Sequence, residues 1–88
     1  MNVRIDKSFE KDIKRIKDKV LLAKIADTIE QVQASTNQEE IKNIKKLKGF
    51  QRYYRIRIGD YRIGLAIEEA TVDFIRFLPR KDVYKYFP

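Results

Sequence analysis

Tyr54-Arg55-Ile56-Arg57-Ile58-Gly59-Asp60-Tyr61-Arg62 is the stretch that decides how this 88-residue chain folds. Gly-Asp between two alternating runs is a two-residue hairpin signal, and glycine in the first turn position suits a type II′ turn. With Gly59 and Asp60 as the loop, Ile58 pairs with Tyr61, Arg57 with Arg62, Ile56 with Ile63 and Arg55 with Gly64. Side chains alternate faces along a strand. One face then carries Tyr54, Ile56, Ile58, Tyr61, Ile63, Leu65 and Ile67, and the other Tyr53, Arg55, Arg57, Arg62, Gly64 and Ala66. Like charges directly opposite one another destabilise a sheet, so Arg57 across from Arg62, with Arg55 beside them, reads as a device for holding an anion or a partner's carboxylates. Gly64 and Ala66 are expected to leave open space next to the three guanidinium groups.

Working outward, Val72 to Leu78 is dense in β-branched and aromatic residues and reads as a central strand ended by Pro79. Val3 to Ile5 is a short first strand, and Asp6 or Ser8 can cap a following helix. Phe9, Ile13, Ile16 and Val20 form one helical stripe, and Leu22, Ile25, Ile29 and Val32 a second. A turn near Lys17 to Lys19 would make a helical hairpin, although neither Gly nor Pro marks it. Ala34 to Gln38 is a loop. Glu39 to Lys48 is polar, with Ile41, Ile44 and Leu47 as anchors of one helical turn closed by Gly49. The order β-α-α-β-β-β defines an α+β domain: an N-terminal strand and helical hairpin packed on a twisted antiparallel sheet, with a short C-terminal segment or helix. The arginine face is expected to stay open to solvent, closed at one edge by that segment.

The formal charge of +7 is localised. From Lys42 to Arg62 there are eight basic residues and one acid, Asp60, while the rest of the chain sums to zero. A basic patch on a neutral background is a footprint for nucleic acid or for an acidic protein; a solubility surface would not set its arginines against each other. Absent cysteine removes disulfides and thiolate chemistry, and absent histidine removes the commonest general base and metal ligand. Asp6, Glu10, Asp12 and Asp18 are spaced like an exposed helix face, so neither a metal site nor a cofactor box is expected. Met1 to Asp6 lacks the apolar core of a signal peptide, and no apolar run is long enough for a membrane span; a cytoplasmic protein is expected.

Three segments carry a resemblance: Lys46-Leu47-Lys48-Gly49, the hairpin from Tyr54 to Ile63, and Arg80-Lys81-Asp82-Val83-Tyr84. In order and spacing they resemble the Lys-Leu-x-Gly, Tyr-Arg-x-Arg-x-Gly-x-Tyr-Arg and Arg-Lys-x-x-x-Tyr pattern of the RelE/ParE toxin superfamily, and within it the RelE-like ribosome-dependent mRNA endonucleases. The resemblance implies a single RelE-like domain over residues 1–88. It implies an endoribonuclease (mRNA interferase) that acts on translated mRNA, and a cognate acidic antitoxin that holds it inactive in a toxin–antitoxin hetero-oligomer. Carried over by position, the catalytic residues are Arg55, Arg57, Arg62, Arg80 and Tyr84; Lys45, Lys46, Lys48, Arg52 and Lys81 are expected on RNA or the ribosome. Relatives have lysines where Arg55 and Arg57 stand, and many have histidine where Pro79 stands. Arginine does not shed its proton, which leaves catalysis to be weak, to rest on electrostatics, or to borrow groups from the ribosome. Two alternatives remain: a ParE-like toxin directed at DNA gyrase, and a non-catalytic basic module that binds nucleic acid.

Overall fold

A computed structural model describes all 88 residues, Met1–Pro88. The elements run β1 (Asn2–Ile5), α1 (Lys7–Lys14), α2 (Lys19–Ala34), a 3-10 turn (Gln38–Glu40), β2 (Ile44–Lys46), β3 (Tyr53–Ile58), β4 (Tyr61–Glu68), β5 (Thr71–Pro79) and α3 (Arg80–Tyr86). The five strands form one sheet in the order β1-β5-β4-β3-β2. Two sequence expectations need correction. The sheet is mixed, because β1 pairs with β5 in parallel. Ile44–Lys46 is an edge strand antiparallel to β3 rather than part of a helical turn. The C-terminal segment is a helix, one of the two forms expected.

The hairpin has the register that its turn dictates, with Arg57 opposite Arg62 and Arg55 opposite Gly64. Ile56, Ile58, Ile63, Leu65 and Ile67 are all buried on the face covered by α1 and α2. Burying each such side chain stabilises by about 2 kcal/mol, whereas a like-charge pair across strands costs on the order of 1 kcal/mol. The aliphatic face therefore sets the register, and the arginines are carried to the other side.

Helices α1 and α2 each begin at an aspartate. Asp6 accepts from the Ser8 amide, and Asp18 accepts from the amides of Val20 and Leu21. Asp18 thus breaks the chain into two helices where no Gly or Pro does. Phe9 of α1 lies edge-on to Phe74 and Phe77, with ring centroids 5.4 and 6.4 Å away. Val20 departs from its stripe and is exposed.

β5 is irregular at one point: pairing with β4 steps from Gly64↔Arg76 to Leu65↔Phe74, so Ile75 is an extra residue. The bulge lets Phe74 and Phe77, three positions apart, enter one core. Beyond Phe74 the outer edge of β5 has no strand partner, and α1 takes over its polar groups. Ser8 Oγ donates to the Ile75 carbonyl. Asp12 accepts from the Phe77 amide at 2.9 Å and from the Arg76 guanidinium at 2.8 and 3.2 Å. Asp12 is therefore a buried structural carboxylate, and the expected exposed acidic face is wrong at this position.

The second face of the sheet is not open. Val83 and Phe87 of the C-terminal segment form a small core with Leu47, flanked by Tyr53, Ile75 and Leu78. The space expected beside Gly64 is filled by the Phe87 ring: a Cβ on Gly64 would lie 2.6 Å from Phe87 Cγ. No helix is long and apolar enough to cross a membrane.

Candidate functional site

The hairpin and the start of α3 bring three arginines and a tyrosine around Arg62. Arg62 itself is only 7% exposed. Its Nη1 donates to the carbonyls of Gly59 (2.8 Å) and Tyr61 (2.9 Å), so the side chain folds back on its own turn. Burial lowers its pKa, the charges of Arg55, Arg80 and Arg57 push the same way, and Tyr84 acts in the opposite sense. The expectation of an open, solvent-facing Arg62 is corrected accordingly: it is a fixed cation at the floor of the site, because α3 lies over this face.

Arg55 lies one row away, opposite Lys45 on β2 and Gly64 on β4. Its Nη1 donates to the Asn43 carbonyl at 3.1 Å, and its Nε is buried with no partner. Asn43, at φ 61°, turns that carbonyl toward the edge of β3, where it also accepts from the Arg57 amide at 3.1 Å. The Arg57 side chain is exposed. Arg80 opens α3, and its amide donates to the Asp60 carbonyl at 2.8 Å, docking the helix on the hairpin turn. Tyr84 follows one helical turn later, on the same side of α3, and is 62% exposed. Arg80, Lys81 and Tyr84, with Asp60 and Pro79, line a groove of about 500 Å³. Tyr86 is exposed and absent from that groove's lining.

None of Arg55, Arg57, Arg62 and Arg80 pairs with a carboxylate; the ion pairs of the molecule are Arg4–Asp73, Arg52–Glu68 and Arg76–Asp12. Lys45, Lys46 and Lys48 line a neighbouring groove. Lys46 stands opposite Tyr54, whose side chain packs on the main core, so alternation separates it from Lys45. Arg52 lies apart from the cluster, at the start of β3. It reaches Glu68 at 3.7 Å and the Tyr53 hydroxyl at 3.2 Å, and the Tyr53 hydrogen bond leads the causes that raise its pKa. One groove residue escaped the sequence reading. Phe50 follows Lys-Leu-Lys-Gly directly, and an aromatic residue in that polar stretch was the available signal.

The molecule is thus a small mixed sheet with helices on both faces and a cluster of arginines that form no ion pair. Residues 3–84 match the family described as ParE toxin of type II toxin-antitoxin system, parDE. Toxin RelE3 of Methanocaldococcus jannaschii is 43% identical over 89 residues, covering 100% of both chains. Putative toxin RelE1 of the same organism is 32% identical, over 92% of this chain and 90% of its own. The crystal structure of the RelB-RelE antitoxin-toxin complex from Methanococcus jannaschii matches with a TM-score of 0.80 at 41% identity, covering 97% of this chain and 99% of that one. The chain belongs to the ParE toxin family of type II toxin–antitoxin systems, and within it to the RelE-like toxins.

Proposed function

We propose that this protein is a ribosome-dependent endoribonuclease that cuts translated mRNA and is neutralised by an acidic antitoxin. The observation that carries the proposal is the buried Arg62, surrounded by three further guanidinium groups, with none of the four paired to a carboxylate. Such a cluster is costly unless an anion completes it, and phosphate suits planar guanidinium donors. In the cleavage step the 2′-oxygen attacks the adjacent phosphorus and the bond to the 5′-oxygen breaks, leaving a 2′,3′-cyclic phosphate and a 5′-hydroxyl. The 2′-OH proton passes to solvent or a ribosomal group, and the leaving oxygen gains a proton. Arg57 meets the 2′-OH, Arg55 and Arg62 stabilise charge on the phosphorane, Arg80 faces the leaving oxygen, and Tyr84 stacks on a base. With no histidine in the chain, the catalytic contribution rests on fixed positive charge aimed at charge that develops in the transition state. Lys45, Lys46, Lys48 and Lys81 extend the cationic surface toward RNA backbone. The match to a RelE bound to its RelB supports the antitoxin partner.

The test is inducible expression with metabolic labelling, wild type against Arg62→Ala and Tyr84→Ala. Amino-acid incorporation should stop before DNA synthesis, and Arg62→Ala should relieve the arrest. Loss of DNA synthesis first, unaffected by either substitution, would point to gyrase instead.

A further inference from the structure

The groove on the other side of Tyr84 has features that phosphate binding alone does not explain. It has a volume of about 500 Å³, and its walls include Lys45, Lys46, Lys48, Phe50 and Tyr84. Phe50 is placed there by a tight turn: its amide donates to the Leu47 carbonyl at 3.3 Å, and Gly49 sits at φ 85°. That is the value required at the third position of a type II turn, where a side chain is strained. The turn holds Lys48 and Phe50 at fixed positions on the groove wall. Phe50 is 43% exposed. Its one aromatic neighbour, Tyr53, meets it edge-on with centroids 5.6 Å apart, and Tyr53 is braced in the same way by Phe87 at 5.5 Å. The ring is thus anchored to the small core, and no other ring stacks on it face to face. None of the three lysines has a carboxylate partner. Tyr84 bounds both this groove and the one with Arg80 and Lys81, so a strand leaving the arginine cluster past Tyr84 enters it directly.

We propose that Phe50 and Tyr84 bound a second base-binding subsite, in which a nucleotide of single-stranded RNA next to the cleaved phosphate stacks on Phe50 while Lys45 and Lys48 meet its phosphates. The proposal rests on the RNA-cleaving reading of the arginine cluster and adds a residue suited to the base. An exposed ring among unpaired lysines fits a chain that alternates flat bases with phosphates; an acidic peptide would use the lysines and leave the ring idle.

The experiment uses the full chain with 2′-O-methylated RNA oligonucleotides, which cannot undergo 2′-OH attack. They carry the fluorescent base 2-aminopurine at each position in turn. Two positions should be quenched on binding, one dependent on Tyr84 and the next on Phe50. Phe50→Ala and Phe50→Leu should lose the second quench and weaken binding about tenfold, and Phe50→Tyr should keep both. Leucine retains an apolar cover over Tyr53 without a π face, so wild-type quenching and affinity in Phe50→Leu would reduce Phe50 to packing and overturn the subsite. Binding lost in Arg62→Ala but untouched by every Phe50 variant would overturn the subsite and leave the arginine site intact. Absence of binding by the folded wild type would overturn the subsite, while the RNA-cleaving reading stands or falls separately on cleavage of a translated message.

Discussion

Arg62 and Arg76 stand on adjacent central strands, β4 and β5, and are held in opposite ways. Arg76 is gripped in a bidentate pair by Asp12, which also accepts from the Phe77 amide, and the hydrogen bond from Arg76 to Asp12 raises the Arg76 pKa. Arg62 has only the carbonyls of its own turn, and burial and neighbouring arginines lower its pKa. Removing one partner of a desolvated ion pair strands the other charge, so the Arg76 region holds the fold together. The Arg62 region concentrates positive charge that nothing inside the molecule neutralises, which is the signature of a place kept for something else. One molecule thus contains a charge spent on architecture and a charge held in reserve.

Substitutions on the two sides should separate stability from activity. The largest effect is expected for Arg62→Ala: loss of a fixed cation facing the phosphorane should slow cleavage about 10²–10³-fold. The same change should alter unfolding free energy by no more than about 1 kcal/mol, since two lost hydrogen bonds are offset by relief of like-charge repulsion. Asp12→Ala should do the reverse. It strands the Arg76 charge and the Phe77 amide and should cost about 3 kcal/mol in denaturant unfolding, while cleavage per folded molecule stays near wild type. Equal losses of stability in the two variants would dissolve the contrast. Gly64→Ala drives a Cβ into the Phe87 ring and should cost about 2 kcal/mol by overpacking. Because Phe87 anchors α3, this variant should also lose activity by moving Arg80 and Tyr84. Tyr84→Ala removes an exposed stacking ring and should weaken RNA binding about tenfold with an unchanged melting temperature.

The smallest effect concerns acid. Glu40 accepts from the amide and then the hydroxyl of Thr36, and both hold its pKa below the usual carboxylate value. Its charged form therefore favours the folded state. That contribution is present above the ordinary carboxylate pKa and lost as pH falls through the lowered one. The difference in melting temperature between wild type and Glu40→Gln should be present at neutral pH and vanish in strong acid.

The hairpin was legible because a two-residue turn fixes register and the isoleucines fix the face. The two helices were legible from their stripes, and Asp6 as a local cap; Asp18, read as part of a helix face, is the cap that divides them. What escaped depends on partners distant in sequence. β1 lies parallel to β5 some 69 positions away, and Asp12 meets Arg76 across 64. The anchors Ile41, Ile44 and Leu47, spaced by three, imitate a helical turn, yet Ile44 belongs to a strand because β3 offers it an edge. The Ile75 bulge has no local mark, so alternation along β5 does not give the face of Arg76. At the site, the residue types could be read, but the burial of Arg62 could not. It follows from α3 lying over this face, with Phe87 seated against Gly64, a contact invisible in either segment alone.

The most direct test of the arginine cluster as an mRNA-cleaving centre is primer extension on a message translated by purified ribosomes, with wild-type protein and folded Arg62→Ala side by side. Wild type should cut within the coding sequence only when ribosomes are translating it, and Arg62→Ala should leave the message intact. An uncut message with folded wild type, or cutting by Arg62→Ala at the wild-type rate, would contradict the account.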